Sequence, residues 1–186
     1  MKRILYKKLF RYLLKMKVLA FDIGIKNLAF CSINNNIITK WKILDISADN
    51  FNNTSKNLIK ILHEEFTSED IYDVVLIENQ PTLQNPTMKS IQMLIYSFFL
   101  IKTYQNGSNC EVKLVSPNNK LKVKLNTSKE KLSYKKKKQH SIELTKLYLQ
   151  EKHQEWIEEF STCKKRDDLA DCFLYCVNYL EYNKLY

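Results

Sequence analysis

Two short apolar runs of this chain each end in a carboxylate, and this repeated pattern constrains the fold more than any other feature. Residues 17–21 lead into Asp22, and residues 72–77 lead into Glu78. Both runs have the length and apolar content of buried strands. If the two strands pair in parallel, both carboxylates lie at the carboxyl end of the sheet, where ligands bind in open α/β folds. The sequence therefore predicts an α/β fold with an acidic site at one sheet edge.

A third acidic patch lies near the end of the chain. Asp168 and Asp171 are three residues apart in a segment with helical periodicity, so both project from one face of the predicted helix. Carboxylates beside an apolar core are costly unless a positive charge offsets them. A pair of divalent cations would do so, which is the arrangement of a metal-dependent phosphodiesterase. The neighbouring Asp167 is better placed to favour the positive end of the helix.

The remaining pattern predicts one domain over residues 16–186, with the element order βββαβαβααα. The predicted strands cover residues 17–21, 28–33, 37–44, 72–77 and 112–115. The first predicted helix covers residues 51–66 with Thr54 or Ser55 as its N-cap, and Thr87 caps the second, which ends near Asn106. The later predicted helices cover residues 141–150, 155–160 and 167–182. Only two glycines are present, so a glycine-rich phosphate-binding loop is excluded.

Positive charge is concentrated in two blocks of the chain, whose formal net charge is +10. Residues 1–15 contain six basic residues and no acid, and residues 113–138 contain ten lysines and one acid. Such blocks favour a polyanionic partner such as nucleic acid, although a solvated basic surface would have the same composition. The candidate DNA-binding residues are Lys120, Lys122, Lys124, Lys135, Lys136, Lys137, Lys138, Lys165 and Arg166.

Cysteine spacing and hydropathy limit the environment in which the chain works. The five cysteines show no CxxC spacing and are odd in number, which favours a reducing, intracellular compartment and argues against a zinc site. The most apolar segment, residues 93–101, is too short to span a bilayer. Residues 1–15 are predicted to be a basic extension upstream of a true start at Met16, and a mitochondrial-type presequence is the alternative.

Four motifs together resemble those of the poxvirus Holliday junction resolvases. In chain order they are residues 21–27 around Asp22, residues 77–81 around Glu78, Ser116-Pro117-x-x-Lys120, and residues 165–171 with Asp168 and Asp171. That family is similar in turn to bacterial RuvC and to the fungal mitochondrial resolvases. The resemblance runs from residue 17 to residue 183. It implies a ribonuclease H-like α/β fold, with a mixed five-stranded sheet and helices on both faces.

The resemblance also implies an activity and a set of site residues. The activity is that of a Mg²⁺-dependent endonuclease, with Mn²⁺ as a substitute, which resolves four-way DNA junctions without a nucleotide cofactor. Its expected context is viral genome concatemer resolution, in the host cytoplasm or the virion. The metal-binding acids would be Asp22, Glu78, Asp168 and Asp171, with two ions per site. A lysine of residues 135–138, taken as Lys138, would support catalysis.

A homodimer with two active sites is a further implication of the resemblance, because a twofold dimer matches a symmetric four-way junction. The helix predicted to follow Thr87 is hydrophobic nearly all round. One of its faces could pack on the sheet and another on a second copy. A central buried helix would have the same pattern.

Three other functions remain open at this level. An ATPase of the actin or sugar-kinase type also begins with Asp-x-Gly on a first strand, but it needs a second domain and more glycines. A noncatalytic nucleic-acid-binding module would explain the positive charge and leave the acids with structural roles. A related nuclease acting on RNA–DNA hybrids, flaps or other branched nucleic acids would share every motif.

Overall fold

The strands β1 (Lys17–Asp22) and β2 (Leu28–Asn34) form a hairpin that a second turn extends to β3 (Ile37–Leu44). The computed structural model describes residues 16–124, 126 and 133–183. The predicted basic extension at residues 1–15 lies outside the described residues. The other strands are β4 (Val74–Glu78) and β5 (Glu111–Val115). The helices are α1 (Phe51–Glu65), α2 (Pro86–Gln105), α3 (Tyr134–Lys152), α4 (Ile157–Thr162) and α5 (Arg166–Tyr182).

The two hairpin turns depend on residues that suit tight backbone geometry. Between β2 and β3, Asn35 and Asn36 have φ of 53° and 62°, a conformation that asparagine tolerates better than most residues. Between β1 and β2, a Cβ atom added to Gly24 would lie 2.6 Å from the carbonyl oxygen of Asn27. A side chain at this position would clash with the backbone of Asn27 and open the turn. Glycine at position 24 therefore allows the tight connection between Asp22 and β2.

The five strands form one mixed sheet in the order β3-β2-β1-β4-β5. β1 pairs antiparallel with β2 and parallel with β4, and β4 pairs parallel with β5. Phe21 lies opposite Ile77 in the parallel pair, so Asp22 and Glu78 follow at equivalent positions of adjacent strands. The predicted mixed five-stranded sheet and the shared edge of the two carboxylates are therefore confirmed.

Helices cover both faces of the sheet, as predicted. Leu19 and Phe21 of β1 pack on one face with buried residues of α1 and α2. Val18 and Ala20 pack on the other face with buried residues of α3 and α5. Because side chains alternate along a strand, Asp22 continues the Val18–Ala20 row and lies on the α5 side. Glu78 does the same on β4, after Val74 and Leu76.

The first helix begins at Phe51 as predicted, but the predicted N-caps of α1 and α2 are wrong. Asn50 rather than Thr54 or Ser55 caps α1, because its side chain accepts the backbone N–H of Asn53 at 2.9 Å. The prediction that Thr87 caps α2 is also wrong. Asn85 is the N-cap, and Pro86 occupies the first turn, where its missing N–H costs nothing.

The start of α3 differs most. The helix begins at Tyr134 rather than at residue 141, so the lysines at residues 135–138 are helical. Lysine is a good helix former, and a solvated helix surface accommodates several charged side chains. The spacing of apolar residues cannot reveal a first helical turn made mainly of lysines, so the prediction began the helix too late.

Candidate active site

Four acidic residues from three elements line one cleft at the carboxyl edge of β1 and β4. Asp22 ends β1, Glu78 ends β4, and Asp168 and Asp171 lie in the first turns of α5. The cleft has a volume of about 320 Å³. Its other lining residues are Ile23, Gln80, Pro117, Asn118, Lys120, Tyr134, Lys137, Lys138 and Ser141. The structure thus brings together the four acids that the sequence placed far apart.

Asp22 and Glu78 act as one acidic pair. Burial raises the pKa of Asp22 well above its usual value, and a hydrogen bond and the charge of Glu78 raise it further. Two carboxyl groups placed this close together and this deeply resist ionisation of Asp22 unless a cation offsets their charge. Asp171 adds a further negative charge, and the ammonium of Lys120 opposes the effect.

Lys120 enters this acidic cluster from a short 3₁₀ helix, Asn119–Leu121, which follows β5. Its ammonium contacts the carboxylate of Asp171, and the two side chains are only 16% and 7% exposed. Burial lowers the pKa of Lys120, but the carboxylates of Asp171, Glu78 and Asp22 outweigh burial and raise it. Lys120 is therefore a half-buried, charged lysine in contact with one of the four acids.

Asp168 and Asp167 lie side by side in different surroundings. Burial and the neighbouring charge of Asp167 raise the pKa of Asp168 to about 6. Asp167 instead pairs with Lys138, whose Nζ lies 2.5 Å from its carboxylate, and this bond outweighs burial and lowers the pKa of Asp167. Lys138 lines the cleft, but its ion-pair partner is Asp167 rather than one of the four acids.

The loop that follows Glu78 is fixed from α2. Gln92 is fully buried, and its side-chain oxygen accepts the backbone N–H of Gln80 at 2.7 Å. Lys89 donates to the same oxygen at 3.2 Å and to the side chain of Asn79 at 2.9 Å. The position of Glu78 thus depends on α2 as well as on its own strand.

The donor chemistry of the cleft is that of a divalent metal site, although its described side chains are not arranged as one. Glu78 Oε2 and Asp171 Oδ1 are buried without a hydrogen-bond partner among the described residues, and such orphaned oxygens are costly unless a cation satisfies them. Carboxylate oxygens are the ligands that Mg²⁺ prefers. No group of three His, Cys, Asp or Glu side chains within the described ranges already has the geometry of a metal site. The Lys120 ammonium at Asp171 supplies the positive charge there instead.

Comparison with known protein families identifies the chain. The family model described as Poxvirus A22 protein matches residues 16–184. The chain belongs to the poxvirus A22 protein family. It is also 36% identical over 162 residues to the uncharacterized protein L451 of Acanthamoeba polyphaga mimivirus, a match that covers 81% of this chain. The match spans only 37% of the length of that mimivirus protein.

Solved structures show that this A22 family member has the ribonuclease H-like fold of the resolvases. The fowlpox virus resolvase, solved in complex with substrate Holliday junction DNA, matches with a TM-score of 0.65 and 23% identity, over 90% of this chain and 99% of that one. The yeast mitochondrial Holliday junction resolvase Ydc2 matches with a TM-score of 0.66 and 17% identity, over 96% and 87% of the two chains. The predicted fold class is therefore confirmed.

The candidate DNA-binding residues of the A22 family member fall into separate groups. Lys120, Lys137 and Lys138 line the acidic cleft. Lys122 and Lys124 are exposed beside a different cavity of about 530 Å³. Lys135 and Lys136 are exposed on the first turn of α3, and Lys165 and Arg166 lie at the start of α5. Sequence reasoning assigned Lys120 to DNA binding alone and missed its place among the acids, although the Ser116-Pro117-x-x-Lys120 motif had singled it out.

In the part of the chain that the structure describes, every helix is too short or too polar to span a bilayer.

Proposed function

We propose that this chain is a Mg²⁺-dependent endonuclease that cleaves four-way DNA junctions by phosphodiester hydrolysis. The observation that carries the proposal is the convergence of Asp22, Glu78, Asp168 and Asp171 in one cleft with the half-buried ammonium of Lys120. Membership of the poxvirus A22 protein family supports it, as does a fold shared with resolvases of which one was solved on junction DNA.

The four acids would hold two Mg²⁺ ions, for which Mn²⁺ would substitute. When bound, the ions supply a water of lowered pKa and stabilise charge on the attacking and leaving oxygens of the phosphodiester. Asp22 and Glu78 approach from the sheet, while Asp168 and Asp171 approach from α5, so the ligands surround the cleft from two sides.

Lys120 gives the cleft a permanent positive charge. Its ammonium is held by Asp171, and it is buried enough that water screens its charge weakly. We assign it the task of orienting the scissile phosphate and stabilising negative charge as the phosphorus–oxygen bond breaks. Lys138 is held by Asp167 at the rim of the same cleft, where its ammonium contributes to phosphate attraction.

The basic first turn of α3 and the start of α5 would bind the DNA backbone on either side of the cleft. Lysines there attract phosphates without reading base sequence. Such contacts suit a substrate recognised by its branched shape. Resolution of viral genome concatemers, at replication sites in the host cytoplasm or in the virion, is the role that family membership favours.

A homodimer completes the proposal. One face of α2 carries four exposed apolar or aromatic side chains, namely those of Met93, Leu100, Ile101 and Tyr104. A second copy packed on this face would cover it and give two clefts related by a twofold axis. Paired clefts match the paired strands that must be cut in a symmetric junction.

The test is cleavage of a mobile four-way junction compared with a linear duplex of the same sequence. The full chain is assayed with Mg²⁺, with Mn²⁺ and with a chelator. Symmetric paired nicks on the junction that depend on a divalent ion are the expected result. Equal cleavage of duplex, flaps or RNA–DNA hybrids would indicate a broader nuclease, and binding without cleavage under any ion would leave a noncatalytic module.

A further inference from the structure

Beyond its acidic first turns, α5 contacts the segment that carries Lys120 at two more places. Asn178 lies seven residues after Asp171, which is two helical turns, and its side-chain amide donates to the carbonyl of Lys122 at 2.7 Å. Glu181 lies one turn further on, and its carboxylate accepts the backbone N–H of Lys124 at 2.6 Å. The other oxygen of Glu181 accepts the hydroxyl of Tyr148 on α3 at 2.6 Å.

These contacts form a row along one helix. Counting from the start of α5, Asp171 contacts Lys120, Asn178 contacts Lys122, and Glu181 contacts Lys124. Each contact therefore lies further along the helix and two residues further along the segment. The helix that supplies two of the four acids also fixes the segment that delivers the lysine to them.

Glu181 is an unusual residue for this location. It is only 8% exposed, and the hydrogen-bond donors to its carboxylate in the described residues are a backbone N–H and a phenol. A carboxylate buried in this way is costly compared with an apolar side chain of the same size. Val123, between the two anchored lysines, is buried at 4% exposure and already gives the segment apolar contact. The hydrogen bonds of Glu181 and Asn178 also fix the position of residues 122–124 along α5, which apolar packing alone does not fix.

We propose that Glu181, together with Asn178, is a positioning residue that sets how far Lys120 reaches into the acidic cleft. Glu181 touches neither the acids nor the cleft, and it acts through the backbone of residues 120–124. Loss of the anchor lets the segment shift, and the ammonium of Lys120 then moves relative to the scissile phosphate. This inference rests on the proposed function, because it concerns the same cleft.

The test uses two substitutions at one position. Glu181→Gln keeps both hydrogen bonds, because its carbonyl oxygen accepts from Lys124 and its amide donates to the oxygen of Tyr148. Glu181→Leu has similar size and keeps neither. In single-turnover junction cleavage we expect Glu181→Leu to be about 10- to 100-fold slower, since small displacements of a charged group have effects of that order. Glu181→Gln should retain the wild-type rate, and the exposed Glu151→Leu on α3 serves as a control.

A double-mutant cycle separates positioning from general damage. If Glu181 acts through Lys120, then Glu181→Leu causes no further loss of rate in a Lys120→Met background. Independent losses that multiply would overturn the proposal, as would a wild-type rate in Glu181→Leu. If Glu181→Leu fails to fold, Asn178→Leu and Tyr148→Phe undergo the same cycle with the same expected outcome.

Hydrogen exchange on the metal-free chain gives a readout that needs no cleavage. The backbone N–H of Lys124 should exchange faster in Glu181→Leu, while the amides of β1 and β4 keep their protection. If the wild-type chain cleaves no substrate with any ion, the proposed function has failed, and exchange alone then tests the anchor. Unchanged exchange at Lys124 in Glu181→Leu would overturn it.

Discussion

The ammonium of Lys120 contacts the carboxylate of Asp171 although the two residues lie 51 positions apart in the chain. The contact joins the 3₁₀ helix that follows β5 to α5, which packs on the same face of the sheet as Val18 and Ala20. It gives the acidic cleft a fixed positive charge before any metal ion is considered. A phosphate that enters the cleft therefore meets a cation already held in place.

Removal of one acid should abolish cleavage and leave DNA binding intact. Asp22→Asn or Glu78→Gln removes a charged metal ligand, and loss of such electrostatic stabilisation costs at least about 100-fold in rate. Junction affinity should stay within about threefold, because it comes from the basic surface. Cleavage and gel-shift assays measure the two effects, with the exposed Asp49→Asn as control. Retained cleavage by either variant would contradict the assignment.

Replacement of Asp22 should also stabilise the metal-free protein. The pKa of Asp22 is raised in the folded state, chiefly by burial, so the folded protein binds its proton more tightly than the unfolded chain does. The protonated Asp22 carboxyl therefore stabilises the fold at low pH. This stabilisation is lost as the pH rises from the pKa of Asp22 in the unfolded chain through its higher pKa in the folded protein. At neutral pH in chelator, Asp22→Asn should raise Tm by about 2 °C or more, the shift of roughly 1 kcal/mol in a domain of this size. A lower Tm would be inconsistent with a costly buried carboxyl.

Lys120 and Lys138 should differ in importance. Lys120→Met removes the ammonium at Asp171 and should slow single-turnover cleavage about 100-fold or more. Lys138→Met removes the partner of Asp167 at the rim and should slow it less than about tenfold. The exposed Lys56→Met on α1 is the control. The reverse order of the two effects would support the prediction that Lys138 is the catalytic lysine.

Cleavage should increase with pH through the ionisation of Asp168. Its carboxyl has a pKa of about 6, so it is neutral below that pH and a charged ligand above it. Because a metal binds the ionised form, kcat/KM should fall about tenfold per pH unit below about pH 6 and level off above it. Asp167→Asn removes a negative neighbour and should move the inflection to lower pH. An unchanged inflection in that variant would exclude Asp168 as the titrating group.

The exposed lysines of α3 should control affinity and its salt dependence. Lys135→Ala with Lys136→Ala removes two exposed charges from the first turn of the helix. Junction binding in chelator should weaken, and the slope of log K against log salt should fall by about 0.9 for each phosphate that the protein no longer neutralises. Fluorescence anisotropy over a salt series measures the slope. A slope equal to that of the wild type would mean that these lysines face away from the DNA.

The sequence alone determined the strands, their order along the chain and the acids of the cleft. An apolar run ending in Asp22 or Glu78 is a local pattern, and the parallel pairing of two such strands leaves their carboxylates at one edge of the sheet. The spacing of Asp168 and Asp171 likewise follows from the period of a helix. Asn50 and Asn85 were missed as caps because several polar residues at each helix start could have played that part.

Only the tertiary structure decided which lysine lies among the acids and what holds it there. Ten lysines in residues 113–138 look alike in sequence, because charge and helix propensity are properties that all of them share. Lys120 is distinguished by the approach of α5, which places Asp171, Asn178 and Glu181 beside residues 120–124. Contacts of this kind join residues more than 50 positions apart, and no local periodicity encodes them.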